Sequence, residues 1–474
     1  MTGRRGCIGT ALCLVALAFA AFPSTASAAA TIIIVNNDGP GEGFNDPTPV
    51  APVGGNTGTT LGQQRLIAFL HAAGIWGANL TSTVPIRVLS NFDSLSCTAT
   101  SAILGSAGPT EVWRGPAFPL ADHWYHFALA NKLAGAVLDP TTPEISARFN
   151  VNLGNPGCLT GVGWYLGLDN NHGIQVDLVT VLLHEFSHGL GFSTTTSGTT
   201  GAYLGGFPSA FDHFVKDTTT GNSWDFMTAA ERVASAINPR KVVWTGANVS
   251  ASVPAVLMPG TPKLDVLTPS SIAGSYLVGT PSFGPPLSSA GLTGEVMPVI
   301  TQSAAGSACE PFNFVNRLAV NGKVALVDRG ICAFTIKVKN AQDAGAVGVI
   351  VANNAAGSPP PGMGGSDPSI TIPSVMISQA DANRLKSALI YRSRTRSGLN
   401  VWMFTDLGQR AGADPFGEAL LFTPNPYQGG SSVSHWDTIA FPNLLMEPNI
   451  NADLTHSVTV PFDLTLQLLL DIGW

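Results

Sequence analysis

The chain has 474 residues, including 52 glycines and 34 prolines, and a formal net charge of −7. That length exceeds what one ordinary core supports, so at least two domains are expected. Charged residues make up 11% of the chain, against about 25% in average proteins, and no basic tract is present, which argues against nucleic acid as a partner.

Arg4 and Arg5 precede an apolar run over residues 8–22, and Ala26-Ser27-Ala28 follows as a cleavage sequence, so residues 1–28 read as a secretory leader. Cys7 and Cys13 would leave with it. Cys97, Cys158, Cys309 and Cys332 remain, an even number suited to two disulfides in an oxidising compartment. Three pairings are open. Local pairing favours Cys97 with Cys158 and Cys309 with Cys332, since each pair then falls within one candidate domain. Later apolar stretches are too short to span a bilayer, so a secreted protein without a membrane span is expected. Asn79-Leu80-Thr81 and Asn248-Val249-Ser250 are glycosylation sequons.

Residues 31–35 and 85–89 read as strands, and residues 63–73 and 124–133 as helices. Ile145, Ala147, Phe149 and Val151 alternate with more polar neighbours, which predicts a half-buried strand. A helix over residues 178–189 follows, with Asp177 as its N-cap, an apolar run from Leu178 to Leu183, and Gly189 and Gly191 to end it.

That helix carries His184-Glu185-Phe186-Ser187-His188. Residues four apart share a helix face, so both imidazoles can reach one ion with Glu185 beside them. The pattern predicts a zinc hydrolase site, with His184 and His188 as ligands and Glu185 as general base and acid. Catalytic zinc usually takes three protein ligands and leaves one position to water. His213, in Phe-Asp-His-Phe, is one candidate for the third ligand; His123 and His126, three apart, could form a separate pair.

From about residue 264 to 405 the sequence changes to Gly- and Pro-rich turns between short apolar runs at residues 324–327, 347–351 and 375–377. Beyond it come Ser434-His435-Trp436-Asp437, then Asn443-Leu444-Leu445-Met446-Glu447-Pro448, and a short amphipathic helix near residues 462–470.

Two resemblances organise these segments. Gly191 stands three residues after His188, as in metzincins, but the position where the short metzincin signature repeats histidine holds Thr194. The combination with His435 and the Leu-Met-x-Pro string resembles leishmanolysin-type metzincins, in which a long insertion separates the glycine from the third histidine. The resemblance implies His435 as third zinc ligand and Met446 as the methionine of the turn beneath the metal. A thioether suits such a floor, being apolar and a weak competitor for zinc. It also suggests that residues 144–152 form an edge strand pairing with an extended substrate.

Gly322-Lys323-Val324-Ala325-Leu326-Val327-Asp328-Arg329-Gly330-Ile331-Cys332, with Ala344-Gly345-Ala346 and Ile372-Pro373-Ser374-Val375, resembles a protease-associated (PA) domain. Such domains carry no catalytic residues and serve as lids or as appendages for substrates and partners; Asp328 and Arg329 accordingly read as a structural turn pair. The expected architecture is α+β. A metzincin-like catalytic domain, with a twisted mixed sheet, active-site helix, Met-turn and C-terminal helix, occupies residues 29–263 and 406–474, and a β-rich α/β PA domain occupies 264–405. The expected activity is zinc-dependent endopeptidase action on protein or peptide substrates, with a separate PA-domain ligand. A catalytically silent binding or adhesion protein on the same fold is the alternative.

Overall fold

A computed structural model describes residues 28–300, 306–390 and 392–474; the leader assigned to residues 1–28 lies outside these, apart from Ala28. The described residues form three apolar cores in two bodies. One gathers buried apolar residues from Ala30 to Leu257 and again from Ala413 to Trp474. The others line the two faces of a sheet built by the intervening segment.

The first body is built on a four-stranded sheet in the order Ile32–Asn36, Ile86–Asp93, Ile145–Asn150, Gly105–Pro109. The first three strands are parallel and the last is antiparallel, with Ile34 opposite Val88, Val88 opposite Ile145, and Ala147 opposite Ala107. Parallel neighbours require crossovers, and helix Leu61–Asn79 supplies the first. Thr60 caps it by accepting from the Gln63 N–H. Its Phe69 ring lies 5.0 Å from Phe149 of the sheet and 6.1 Å from Phe186 of helix Leu178–Leu190. The indole of Trp76 donates to the Leu183 carbonyl at 3.1 Å. Both helices are thereby fixed on one face of the sheet.

One expectation is corrected here. Ile145–Asn150 is a strand, but an interior one, with Ile86–Asp93 on one side and Gly105–Pro109 on the other. The edge belongs to Gly-Ser-Ala-Gly-Pro. That sequence has no β-branched or aromatic residue, so propensity does not reveal it. The helix expected over residues 124–133 starts later, at Phe127, because Trp124 is held in a bridge to Ser209.

The second sheet has eight strands, in the order Gly274–Tyr276, Pro259–Thr268, Asn400–Arg410, Leu292–Pro298, Val324–Asp328, Gly348–Ala352, Ser374–Ile377, Val278–Gly279. The four from Leu292–Pro298 to Ser374–Ile377 run parallel. Helices Phe334–Asp343 and Gln379–Ala388 belong to the same unit. Alternation sends Val324, Leu326 and Ile350 to one core and Ala325, Val327, Val349 and Val351 to the other, which is why these strands read as continuous apolar runs. Entry and exit meet: Pro259 pairs with Arg410 in an antiparallel ladder. The ladder reaches beyond residues 264 and 405 because Pro259, Gly260 and Pro262 hide its first residues from a propensity reading. Disulfides join Cys97 to Cys158 and Cys309 to Cys332. No helix among the described residues is long and apolar enough to cross a membrane.

Candidate metal centre

Helix Leu178–Leu190 is buried along all 13 residues and is capped where the sequence implied, the Asp177 carboxylate accepting from the Thr180 N–H at 2.7 Å. Gly191 ends it with φ 132°, and a Cβ there would meet Ile472 Cδ1 at 2.5 Å, so the turn requires glycine twice over. His184 and His188 leave the same face, and His435 comes to meet them from 251 residues beyond His184. One ligating nitrogen from each of the three lies within 4.8 Å of the others.

The tautomers follow from the backbone. Nδ1 of His184 bonds the Leu445 carbonyl at 2.7 Å, Nδ1 of His188 the Phe192 carbonyl at 2.8 Å, and Nδ1 of His435 the Ser431 carbonyl at 2.9 Å. A carbonyl only accepts, so each Nδ1 carries the proton and each Nε2 presents a lone pair. Nε2 of His184 and Nε2 of His435 stand 3.2 Å apart. Two lone pairs at that distance repel unless a cation lies between them, and ligands at about 2.0–2.1 Å from a tetrahedral zinc sit about 3.3 Å from one another. The donor set and its spacing fit zinc.

Burial keeps the rings neutral. It pulls His184 down to about 3, with the neighbouring His188 adding to the effect, and His188 down to about 4; His435 also falls well below the ordinary imidazole value. Glu185 is pushed up to about 8 by burial, opposed by the Ala107 N–H. Gly105 of the edge strand crosses close to Glu185: a Cβ there would lie 3.0 Å from both Cγ and Oε1. The site opens into a cleft of about 1230 Å³ that runs beside Gly105, Ser106 and Ala107.

The distant segment is anchored from several directions. The Thr194 N–H donates to Ser434 Oγ at 3.2 Å, beside His435, and Thr194 Oγ1 donates to Asp212 at 2.5 Å. The residue that breaks the short signature therefore docks the segment that replaces its histidine. Met446 is fully buried, and its carbonyl accepts from the Trp436 N–H at 2.8 Å. Asp463 ties this turn to helix Thr465–Ile472, accepting from the Leu445 and Thr465 N–H groups at 2.6 Å each.

His213 does not join the tripod; its Nδ1 bonds Asp225 at 2.7 Å instead. His126 is separated from His123 as well, with Nε2 on Ser193 Oγ at 2.8 Å. The Asp212 network and the edge strand were not found from sequence. A buried aspartate that gathers hydroxyls from another loop gives no periodic signal, although the capping box of Ser209 and Asp212 was readable in principle.

Comparison with known proteins bears on the second sheet. Residues 292–385 match the PA domain. Vacuolar-sorting receptor 2 of Arabidopsis thaliana is 33% identical over 139 residues, 27% of this chain and 22% of that protein. Leucine aminopeptidase 2 of Arthroderma otae is 41% identical over 80 residues, 17% of this chain and 16% of that one. The chain thus spans less than a quarter of the length of these relatives. Among solved structures, a zinc aminopeptidase from Bacillus subtilis aligns at 20% identity and a TM-score of 0.24, covering 34% of this chain and 36% of that one. The PA domain's Asp328 pairs with Lys386 at 2.6 Å, and Arg329 donates to Asn353 at 2.9 Å, as befits a structural turn.

Proposed function

We propose that this protein is a secreted zinc-dependent endopeptidase, a leishmanolysin-like metzincin carrying an inserted PA domain across residues 264–405. The observation that carries the proposal is the tripod itself: three neutral imidazoles with converging Nε2 atoms and Glu185 on the adjoining helix position. Zinc held by His184, His188 and His435 would supply Lewis-acid chemistry, lowering the pKa of a coordinated water to about 7 and polarising the scissile carbonyl. Burial holds Glu185 protonated in the metal-free site; the charge of a bound cation would favour its carboxylate, which would then take the proton from the attacking water and deliver it to the leaving amine. Met446 floors the site, and the Leu445 carbonyl fixes the His184 ring, the kind of outer support that sets ligand orientation.

Endopeptidase rather than aminopeptidase action is supported by the cleft. Strand Gly105–Pro109 is paired on one side only and runs along it, so an extended substrate can add to that edge and pass the tripod in both directions. This moves the substrate-pairing role from residues 144–152 to Gly105–Pro109. Secretion is supported by the leader sequence and by two disulfides. The PA domain, with its own ligand, is proposed to act as an appendage rather than to contribute catalytic groups.

The test uses an internally quenched peptide blocked at its N-terminus. Chelator-sensitive cleavage restored by zinc is expected, and Glu185→Gln should lower turnover by about 10³-fold with zinc retained. A strict need for a free N-terminus would make the protein an aminopeptidase; full activity in Glu185→Gln would remove the mechanism.

A further inference from the structure

His123, His213 and Asp225 form a second cluster in which one ligating atom from each lies within 4.8 Å of the others. They come from three separate segments: the turn before Trp124, helix Ala210–Phe214 and the turn Trp224–Phe226. Asp225 Oδ1 is taken by the Ser223 hydroxyl at 2.7 Å, leaving Oδ2 to face both rings, 2.7 Å from His213 Nδ1 and 3.6 Å from His123 Nε2. The ring centroids of the two histidines are 5.8 Å apart, with the planes at 90°.

A hydrogen bond between His213 and Asp225 accounts for two members and leaves the third unexplained. Both ring nitrogens of His123 are buried without a hydrogen-bond partner. An unpaired buried polar atom costs about 1–3 kcal/mol, and native structures rarely keep one without a use. His213 has a side chain 38% exposed, so its ring can swing by the roughly half ångström that separates a hydrogen bond from a ligand edge of about 3.3 Å, and water can complete the shell.

We propose that His123, His213 and Asp225 bind a second zinc-class divalent cation, which pins these three segments together. The location gives the cation a structural consequence. Asp212, next to His213, accepts from both Thr194 Oγ1 and Thr196 Oγ1, and Thr194 in turn donates to Ser434 beside His435. Cation binding braces the strut that positions the third imidazole of the catalytic tripod.

The experiment measures zinc by equilibrium dialysis of the chelator-stripped full chain, with metal content read by mass spectrometry. Wild type should take up two zinc ions and His213→Ala one, with peptide cleavage still present because the tripod is intact. His184→Ala/His435→Ala should retain one. Should that double variant unfold, the single His213→Ala, at a half-exposed ring, decides the matter. Uptake of a single zinc by wild type, or unchanged stoichiometry in His213→Ala, overturns the second site. Two zinc ions in a protein that cleaves no peptide would instead overturn the peptidase proposal and leave this one standing.

Discussion

Around the tripod, the body contributed by both ends of the chain buries Glu185, Asp212, Asp437, Glu447 and Asp463, while the parallel strands of the PA domain bury almost only aliphatic side chains. The first region meets the cost of burying carboxyls with backbone donors: Leu444 N–H on Glu447 at 2.8 Å, Leu445 and Thr465 N–H on Asp463, Ser209 N–H on Asp212 at 2.8 Å. The second needs few such arrangements; buried Lys337, bonded to the Ser307 carbonyl, is its main exception. On the proposed reading, the contrast separates a region whose polar interior serves chemistry from one stabilised by ordinary close packing.

The comparison can be broken most sharply at His435. On the proposed reading, His435→Ala should abolish cleavage and remove zinc from the tripod, because two imidazoles on one helix do not hold a catalytic zinc. Metal content and turnover measured together check this, and a fully active variant would detach the distant segment from the site.

Asp463 comes next. Asp463→Ala strands two buried N–H groups at about 1–3 kcal/mol each, so a stability loss of about 3 kcal/mol is expected in a denaturant titration. A comparable Ser374→Ala change in the PA domain should cost far less, since that hydroxyl has no partner to lose. Equal losses would erase the contrast.

Glu447 gives a pH signature. Burial raises its carboxyl from 4.5 to about 8 in the folded chain. Its folded-state pKa lies above the unfolded one, so the stabilising contribution is complete below pH 4.5 and is lost as pH rises through 8. Glu447→Gln should match wild type in melting temperature at pH 5 and exceed it at pH 8.5. Parallel melting curves across that range would refute the assignment.

The smallest effect is expected from excision. Pro259 and Arg410 are ladder partners, so replacing residues 260–409 by a short Gly-Ser turn spans only the gap of one strand pair, at modest loop-closure cost. Zinc content at the tripod should be unchanged, and cleavage of a short peptide should persist within about threefold. Loss of zinc would mean that the PA domain is part of the site's support.

Much of the site was readable because one helical turn carries His184, Glu185 and His188, and a fixed period of 3.6 converts spacing into geometry. The apolar runs of the PA domain were readable for a similar reason, being buried on both faces. His435 could be reached only through resemblance, since no period links it to His184. The true edge strand escaped because Gly105, where a Cβ would crowd Glu185 of the site helix, and its small neighbours carry no strand propensity. His123, His213 and Asp225 escaped as a group because three separate segments, not one element, bring them together.

The separation of His184 from His435 by 251 residues has a temporal meaning on the proposed reading. A nascent polypeptide presents its first two imidazoles long before the third exists, and the whole PA domain must be translated in between. Hydrolytic power therefore arrives late in synthesis, which spares the ribosome and the export machinery from a protease that is still being made.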